Sequence, residues 1–296
     1  MKDTTTLATQ IRTTFHTSRE AVRRAHERAL EASERARRMR AEMRQRREIG
    51  GQPECAHAML RMVEEESARA VRESERFIAV VSHELRQPLN AAVGAMSLLE
   101  ANASPAATDR ARVVLRRQLL HLSTLLDDLL DMSRLTLKTL RVDRSPIDLR
   151  TVVADALDTV DGAAERAGVN LDSKLPESAV RVMGDASRLQ QALSNLLANA
   201  IRYTPRDGYV SVALMLDEGM AEVTVEDTGQ GIAPSDLTNI FEPFWRGLNT
   251  GGEGFGIGLA LVKGIVELHG GSITVFSAGL GHGARFRVML PLCSAE

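Results

Sequence analysis

Between Phe77 and Leu89, three side chains, His83, Glu84 and Gln87, have the types and spacing for nucleophilic and acid–base chemistry on one helix. Apolar positions Val81, Leu85, Pro88 or Leu89, Ala92, Met96 and Leu99 recur every three or four residues, the mark of a helix that buries one stripe. At about 100° per residue, His83 falls roughly 200° from Val81 and Leu85 and faces solvent, with Gln87 one turn on. A histidine in water titrates near about 6.5, and its neutral ring is a competent nucleophile. Glu84 is placed to accept the proton of the other ring nitrogen, which raises the basicity of the attacking one. Taken alone, an exposed His beside a Glu on a helix is most often the mark of ordinary surface.

The second half of the chain holds a denser set. In the helix expected over Ala186–Tyr203, Leu189, Leu193, Leu196, Leu197 and Ala200 make the buried stripe, while Asn195, Asn199 and Arg202 share another face. Two amides and a guanidinium so aligned can hold a hydrated Mg²⁺ and the phosphate oxygens attached to it, or simply solvate the face. In the strand Ala221–Asp227 the inward parity ends on Asp227. A carboxylate there needs a partner. An exocyclic amino group of adenine would satisfy it where a guanine carbonyl would not; capping of the turn at Thr228-Gly229 is the alternative.

Two glycine-punctuated loops follow, Asp227 to Ile232 and Gly254 to Leu259, the second running into a helix. Glycine permits close backbone approach, and a helix N-terminus offers unpaired amides to phosphate. Neither loop matches the dinucleotide fingerprint or the P-loop. Between them, Phe241-Glu242-Pro243-Phe244-Trp245-Arg246 and Gly247 to Gly252 read as a mobile lid with an aromatic anchor, the aromatics also serving packing.

The elements that must carry these residues divide the chain into four. Residues 1–53 are rich in Ala, Arg and Glu and too poor in apolar residues for a core, so a coiled coil or a single exposed helix is expected, with disorder the alternative. Gly50-Gly51-Gln52-Pro53 ends that segment. Residues 54–140 read as a helical hairpin turning at Asn102–Asp109, with Thr108 or Asp109 capping the second helix and Pro88 kinking the first. Leu115, Leu119, Leu122, Leu126 and Leu129, beside Leu120, Leu125 and Leu130, form two seams, more than one hairpin covers. Two hairpins packed as a four-helix bundle would bury both, which predicts a homodimer. Residues 141–149 read as a linker. From 150 to 293 helices and strands intermingle: a helix near 150–167, a strand near 180–183, a hairpin of Tyr209–Leu216 and Ala221–Asp227, a helix over Gly258–His269 and strands near 272–277 and 284–290. The fold class expected is α+β, ending in an α/β layer on a mixed sheet.

Composition narrows the function classes. The 296 residues allow two domains, and the 3% aromatic content favours helix packing by Leu, Ala and Val. The net charge of −2 hides an asymmetry, since residues 1–50 hold thirteen Lys/Arg against seven Asp/Glu, about +6, leaving about −8 elsewhere. Arg and Glu interleave there as on a solvated helix face, so no direct nucleic-acid binding is expected. The sequence shows neither an apolar run that spans a bilayer nor a signal peptide, which predicts a cytoplasmic protein. Cys55 and Cys293 fit no zinc or redox spacing.

Taken in order, these motifs resemble those of the two-component sensor histidine kinases over roughly residues 70–292. His83-Glu84-Leu85-Arg86-Gln87-Pro88-Leu89 resembles the phosphoacceptor box and Asn195 to Pro205 the asparagine box. Asp227 to Gly231 and Gly254 to Gly258 resemble the two glycine boxes, with Phe241-Glu242-Pro243-Phe244 as the phenylalanine box. The resemblance implies a dimeric hairpin followed by a gyrase-like ATP-binding α/β sandwich, with ATP and Mg²⁺ as cofactors. It also implies autophosphorylation of His83, aided by Glu84 and Gln87, and transfer to an Asp of a response regulator receiver domain, an upstream sensor protein being a further partner. On the matching positions Asn199, assisted by Asn195, would hold Mg²⁺; Arg202 would meet phosphate and Asp227 the adenine amino group. The rest of the nucleotide site would be Tyr203, Gly229, Gly231, Ile232, Phe244, Gly254, Gly256, Gly258 and Leu259. Three departures stand out: Gln87 replaces the usual Thr or Asn that holds a water for dephosphorylation, Arg202 replaces the usual Lys, and no transmembrane helix, ordinary sensor domain or fused receiver is seen. A nucleotide-binding adaptor without catalysis, or a gyrase-like ATPase, are the competing classes. The helical segment 8–76 is expected to pass rotation or tilt to the His83 helix.

Overall fold

A computed structural model describes residues 68, 79–100, 104–245 and 255–293. The expectations for residues 1–53 and most of 54–78, and for Arg246 through Gly254, fall outside these residues. The chain divides into two compact units, the first reaching Ser133 and the second starting at Arg134.

The first unit is built on helices α1 (79–100) and α2 (Pro105–Thr136). Ala91, Ala95 and Leu98 of α1 and Ala107, Ala111 and Val114 of α2 line one cleft, so the two helices form the expected hairpin. The buried line of α1 is shifted from the expected stripe. Val81, Glu84, Pro88, Ala92 and Ala95 are buried, whereas Leu89 and Met96 are 48% and 50% exposed. Small alanines let a neighbouring helix approach closely, and the larger side chains turn outward. Helix α1 continues through Pro88. Helix α2 begins before the expected cap, because Pro105 carries a φ suited to a first helical position, and the Ser104 carbonyl accepts the N–H groups of Ala107 and Thr108, each at 2.9 Å. Leu122, Leu125, Leu126, Leu129, Asp131 and Met132 are the buried residues of its lower half.

The second unit opens on β1 (Ser145–Asp148), antiparallel to β3 (Arg181–Gly184). The segment read as linker therefore contains a strand of the second unit; four residues, two exposed and then two half-buried, carry no period to read. Asp148 then caps α3 (Leu149–Ala167), accepting from Arg150 N at 3.1 Å and from Val180 N at 3.1 Å. Gly168, at φ 68°, ends it.

A five-stranded sheet follows in the order β2 (Asn170–Lys174), β4 (Tyr209–Asp217), β5 (Met220–Asp227), β7 (Ala284–Pro291) and β6 (Ser272–Phe276). β2 pairs parallel to β4, and the other pairs are antiparallel. Val210, Val212 and Leu214, Ala221, Val223 and Val225, and Phe286, Val288 and Leu290 form its buried face. Against it lie α4 (Ala186–Tyr203) and α5 (Gly258–Leu268). The opposite face is wetter, as antiparallel sheets allow, and Arg285 and Arg287 pair there with Glu226 and Glu222 at 3.0 and 3.4 Å. Each fully buried aliphatic side chain contributes about 1.5–3 kcal/mol relative to exposure, so the α4 and β4–β5 cores fix where the polar residues at their ends project.

Candidate functional site

His83 projects from α1 with its side chain 68% exposed, as the helical period predicts. Its Nδ1 lies 3.5 Å from Oε1 of Glu84, whose side chain is only 4% exposed. A carboxylate on Nδ1 favours the tautomer that keeps the Nε2 lone pair outward. Gln87 is exposed one turn later.

In the second unit the inward parity of β5 does end on Asp227, which is 8% exposed. Its Oδ1 accepts the N–H of Gly229 at 2.8 Å and of Ala284 at 3.2 Å, and no protein donor reaches Oδ2 among the described residues. Burial pushes its carboxyl above the usual carboxylate range, the two backbone donors opposing the shift and Glu226 adding to it. The turn beyond is compressed: a Cβ on Gly229 would stand 2.4 Å from the Tyr203 carbonyl oxygen, and one on Gly231 (φ 69°) 2.1 Å from the Gly279 carbonyl oxygen. Gln230 N–H donates to the Tyr203 carbonyl at 3.0 Å, tying the loop to the end of α4. Ile232 N–H donates to Ser277 Oγ at 3.0 Å.

Helix α4 is positioned by Asp185, whose carboxylate accepts from Ser187 N at 3.1 Å and Arg188 N at 3.2 Å. It carries half-buried Asn195 and Asn199, and exposed Arg202, at the expected spacing. Asn195 Nδ2 is buried without a hydrogen-bond partner. An unpaired buried donor costs about 1–3 kcal/mol, so this amide is oriented for an acceptor that the described residues do not supply. The same amide is 4.0 Å from a Cβ built on Gly258, the first residue of α5. Ile257 makes no side-chain cap there, so among the described residues no cap side chain takes up the first-turn amides of α5, which suit an anionic acceptor. Leu259 is half-buried and Gly256 takes φ 70°. Phe244 takes φ 64° and donates its N–H to the Gly256 carbonyl at 3.0 Å; Phe241 packs edge-on to Phe286 at 6.4 Å. Gly254 lies outside the described residues.

Helix α4 thus links the two parts of the site: its end holds the glycine turn beside Asp227, and its Asn195 faces the start of α5. Sequence reasoning missed its supports: buried Ser277, which donates to the Gly283 carbonyl at 2.6 Å, and Gly283 with Ala284, which back Asp227. Their signal was the glycine run 279, 281, 283, all at positive φ.

Comparison with known proteins bears on both units. Residues 73–138 match the family model described as His Kinase A (phospho-acceptor) domain, and residues 184–294 that of the histidine kinase-, DNA gyrase B- and HSP90-like ATPase. Histidine protein kinase DivJ of Caulobacter vibrioides is 36% identical over 225 residues, 74% of this chain and 38% of that protein. Among solved structures, the Acinetobacter baumannii histidine kinase AdeS aligns with TM-score 0.56 and 25% identity, over 72% of this chain and 98% of the other. Full-length ShkA in complex with AMPPNP aligns with TM-score 0.57 and 27% identity, over 75% and 46%. The chain spans 38–51% of the length of the first three curated relatives it matches.

Proposed function

Since the chain belongs to the sensor histidine kinases, we propose that it autophosphorylates His83 from ATP and passes the phosphoryl group to an aspartate of a receiver domain. The single observation that carries this reading is the outward His83 ring with buried Glu84 behind its Nδ1.

The α5 amides and Asn195 have the donors for phosphate oxygens, and Asp227 Oδ2 is an open acceptor for the adenine amino group. Asn199 would be the principal Mg²⁺ ligand with Asn195 assisting, and Arg202 would meet phosphate; the oxygen preference of Mg²⁺ suits the amide carbonyls. When bound, Mg²⁺ neutralises charge on the β- and γ-phosphates. Tyr203, Gly229, Gly231, Ile232, Phe244, Gly254, Gly256, Gly258 and Leu259 shape the rest of the pocket. Nε2 of His83 attacks the γ-phosphorus as the bond to the ADP oxygen breaks, and Glu84 stabilises the positive ring and takes its Nδ1 proton. The protein contributes positioning and charge, which is what phosphoryl transfer asks of it. Gln87, exposed one turn after His83, orients a water that hydrolyses the receiver's aspartyl phosphate to aspartate and inorganic phosphate.

A second copy completes the hairpin. Leu89, Val93 and Met96, spaced i, i+4, i+7 on α1, are 48–53% exposed, and Val113 and Leu120 on α2 are 68% and 53% exposed. Such stripes are what a four-helix bundle buries. No helix among the described residues is long and apolar enough to cross a membrane; we place the reaction in the cytoplasm, with ATP and the receiver. The test is incubation with γ-labelled ATP and Mg²⁺: acid-labile, alkali-stable label on the wild-type protein, lost in His83→Gln, supports the reading. Label that persists in His83→Gln overturns it.

A further inference from the structure

One buried titratable side chain plays no part in the chemistry above. His269, at the C-cap of α5, is 2% exposed. Its Nδ1 donates to the Ile265 carbonyl at 2.7 Å, and its Nε2 accepts the backbone N–H of Asp185 at 3.0 Å. Only a neutral ring can make both bonds, because the imidazolium has no acceptor nitrogen. Gly184 makes room for it: a Cβ there would stand 3.0 Å from His269 Cδ2 and 2.8 Å from Leu189 Cδ1.

Asp185 is the residue whose carboxylate caps α4, the helix of Asn195, Asn199 and Arg202, while His269 closes α5, the helix whose first turn faces Asn195. The His269–Asp185 bond therefore joins the far ends of the two helices whose near parts form the nucleotide site. The chain arriving from the hairpin ties onto the same corner: Asp143 N–H donates to Asp185 Oδ2 at 3.2 Å, and Arg144 donates to the Leu268 carbonyl. Leu135, at the end of α2, fills the notch over Gly264, where a Cβ would stand 2.2 Å from its Cδ2.

We propose that His269 is a positioning residue of the nucleotide site, its neutral ring holding α4 and α5 in register at a corner where the incoming chain is also anchored. This rests on the nucleotide reading given above. The charged groups facing the ring are Arg144 from the incoming chain and Asp185 from the β3–α4 turn, and burial holds its pKa below the ordinary histidine value.

The test uses the full chain and Mg·ATP binding by calorimetry. His269→Phe keeps a buried planar ring and loses both hydrogen bonds; it is expected to bind at least ten-fold more weakly at a temperature where its circular dichroism matches wild type. His269→Gln, whose amide oxygen can accept the Asp185 N–H, is expected within two-fold of wild type. A folded His269→Phe that binds as tightly as wild type overturns the proposal. Should that variant not fold, amide exchange in the wild-type protein decides: Mg·ATP is expected to slow exchange at Asp185, and unchanged exchange overturns it. A wild-type chain that binds no Mg·ATP defeats the underlying nucleotide reading instead.

Discussion

Gly283 presses against Asp227 so closely that a Cβ on the glycine would stand 1.9 Å from the Asp227 carbonyl oxygen. The contact brings Ala284 N–H onto the Asp227 carboxylate, so the backbone of β7 aims the side chain at the end of β5.

Gly283→Ala is expected to lower the melting temperature of the second unit strongly. The new methyl meets fixed backbone and the residue has φ 66°, so strain at this conformation, about 1–2 kcal/mol, adds to an overpacking cost of about 1–3 kcal/mol. Gly219, at φ 82° with nothing within 4 Å of its built Cβ, is the control, and Gly219→Ala carries the conformational strain alone. Thermal unfolding monitored by circular dichroism compares the two; equal losses would remove the steric account of Gly283.

Asp227→Asn is expected to stabilise the unliganded protein at pH 7 while weakening ATP. The folded carboxyl has a raised pKa, so its contribution to stability is full below the ordinary carboxylate pKa and is lost as pH rises through the folded value; an amide removes that loss. The amide oxygen can keep the Gly229 and Ala284 bonds, which turns its NH₂ toward the open side. A donor there opposes the adenine amino group and suits a carbonyl, so preference should move from ATP toward GTP or ITP. With hydrogen bonds to charged groups worth about 1.5–3 kcal/mol, ATP affinity should fall roughly ten- to hundred-fold. Competition binding with the three nucleotides reads this out. By the same acceptor logic, wild-type ATP affinity should fall as pH drops through the raised Asp227 pKa.

Why some of this was legible and some not follows from what each residue contacts. Helix α4 and its Asn195–Asn199–Arg202 face stand where the leucine stripe puts them, because a period of 3.6 is local information. The outward aim of His83 follows from the same period. Glu84 does not: a polarity pattern assigns a carboxylate to solvent, yet it is buried on the inner line of α1. Strands β1 and β2 escaped because neither alternates, their pairing being supplied by β3 and β4. Ser277, Gly283 and His269 act through partners 45 to 84 residues away, which spacing along one segment cannot show.

Asp128 on α2 gives the hairpin a pH dependence. Its carboxyl is pushed up to about 7, by burial first and then by Asp131 and Asp127. The folded hairpin holds this proton more tightly than the unfolded chain, so the associated stability is complete below pH 3.8 and is lost as pH rises through about 7. The wild-type hairpin transition should therefore move to lower temperature between pH 6 and pH 8, and Asp128→Asn should flatten that slope. A melting temperature of Asp128→Asn that falls with pH as steeply as wild type would refute the assignment.

Val93→Glu is expected to shift the protein from dimer to monomer. Val93 is the middle of the exposed α1 stripe, and a dimer interface there would bury an added carboxylate in each copy. Sedimentation velocity at micromolar concentration measures this, with Thr151→Glu on an exposed position of α3 in the second unit as the control for added charge alone. A Val93→Glu protein that remains dimeric would place the interface elsewhere.

Asn195→Ala separates the unliganded state from the liganded one. Removing a buried donor that has no partner relieves about 1–3 kcal/mol of desolvation cost, offset by the small void left behind, so the unliganded melting temperature should change little or rise. With ligand present the outcome reverses. A site that binds only the folded state stabilises it by RT ln(1 + [L]/Kd), so Mg·ATP should raise the wild-type melting temperature, and at the same concentration raise that of Asn195→Ala much less. If the unpaired amide were only a packing residue, the ligand-induced shifts of the two proteins would coincide. Differential scanning calorimetry with and without Mg·ATP, run on both, distinguishes an amide waiting for phosphate from one that merely fills space.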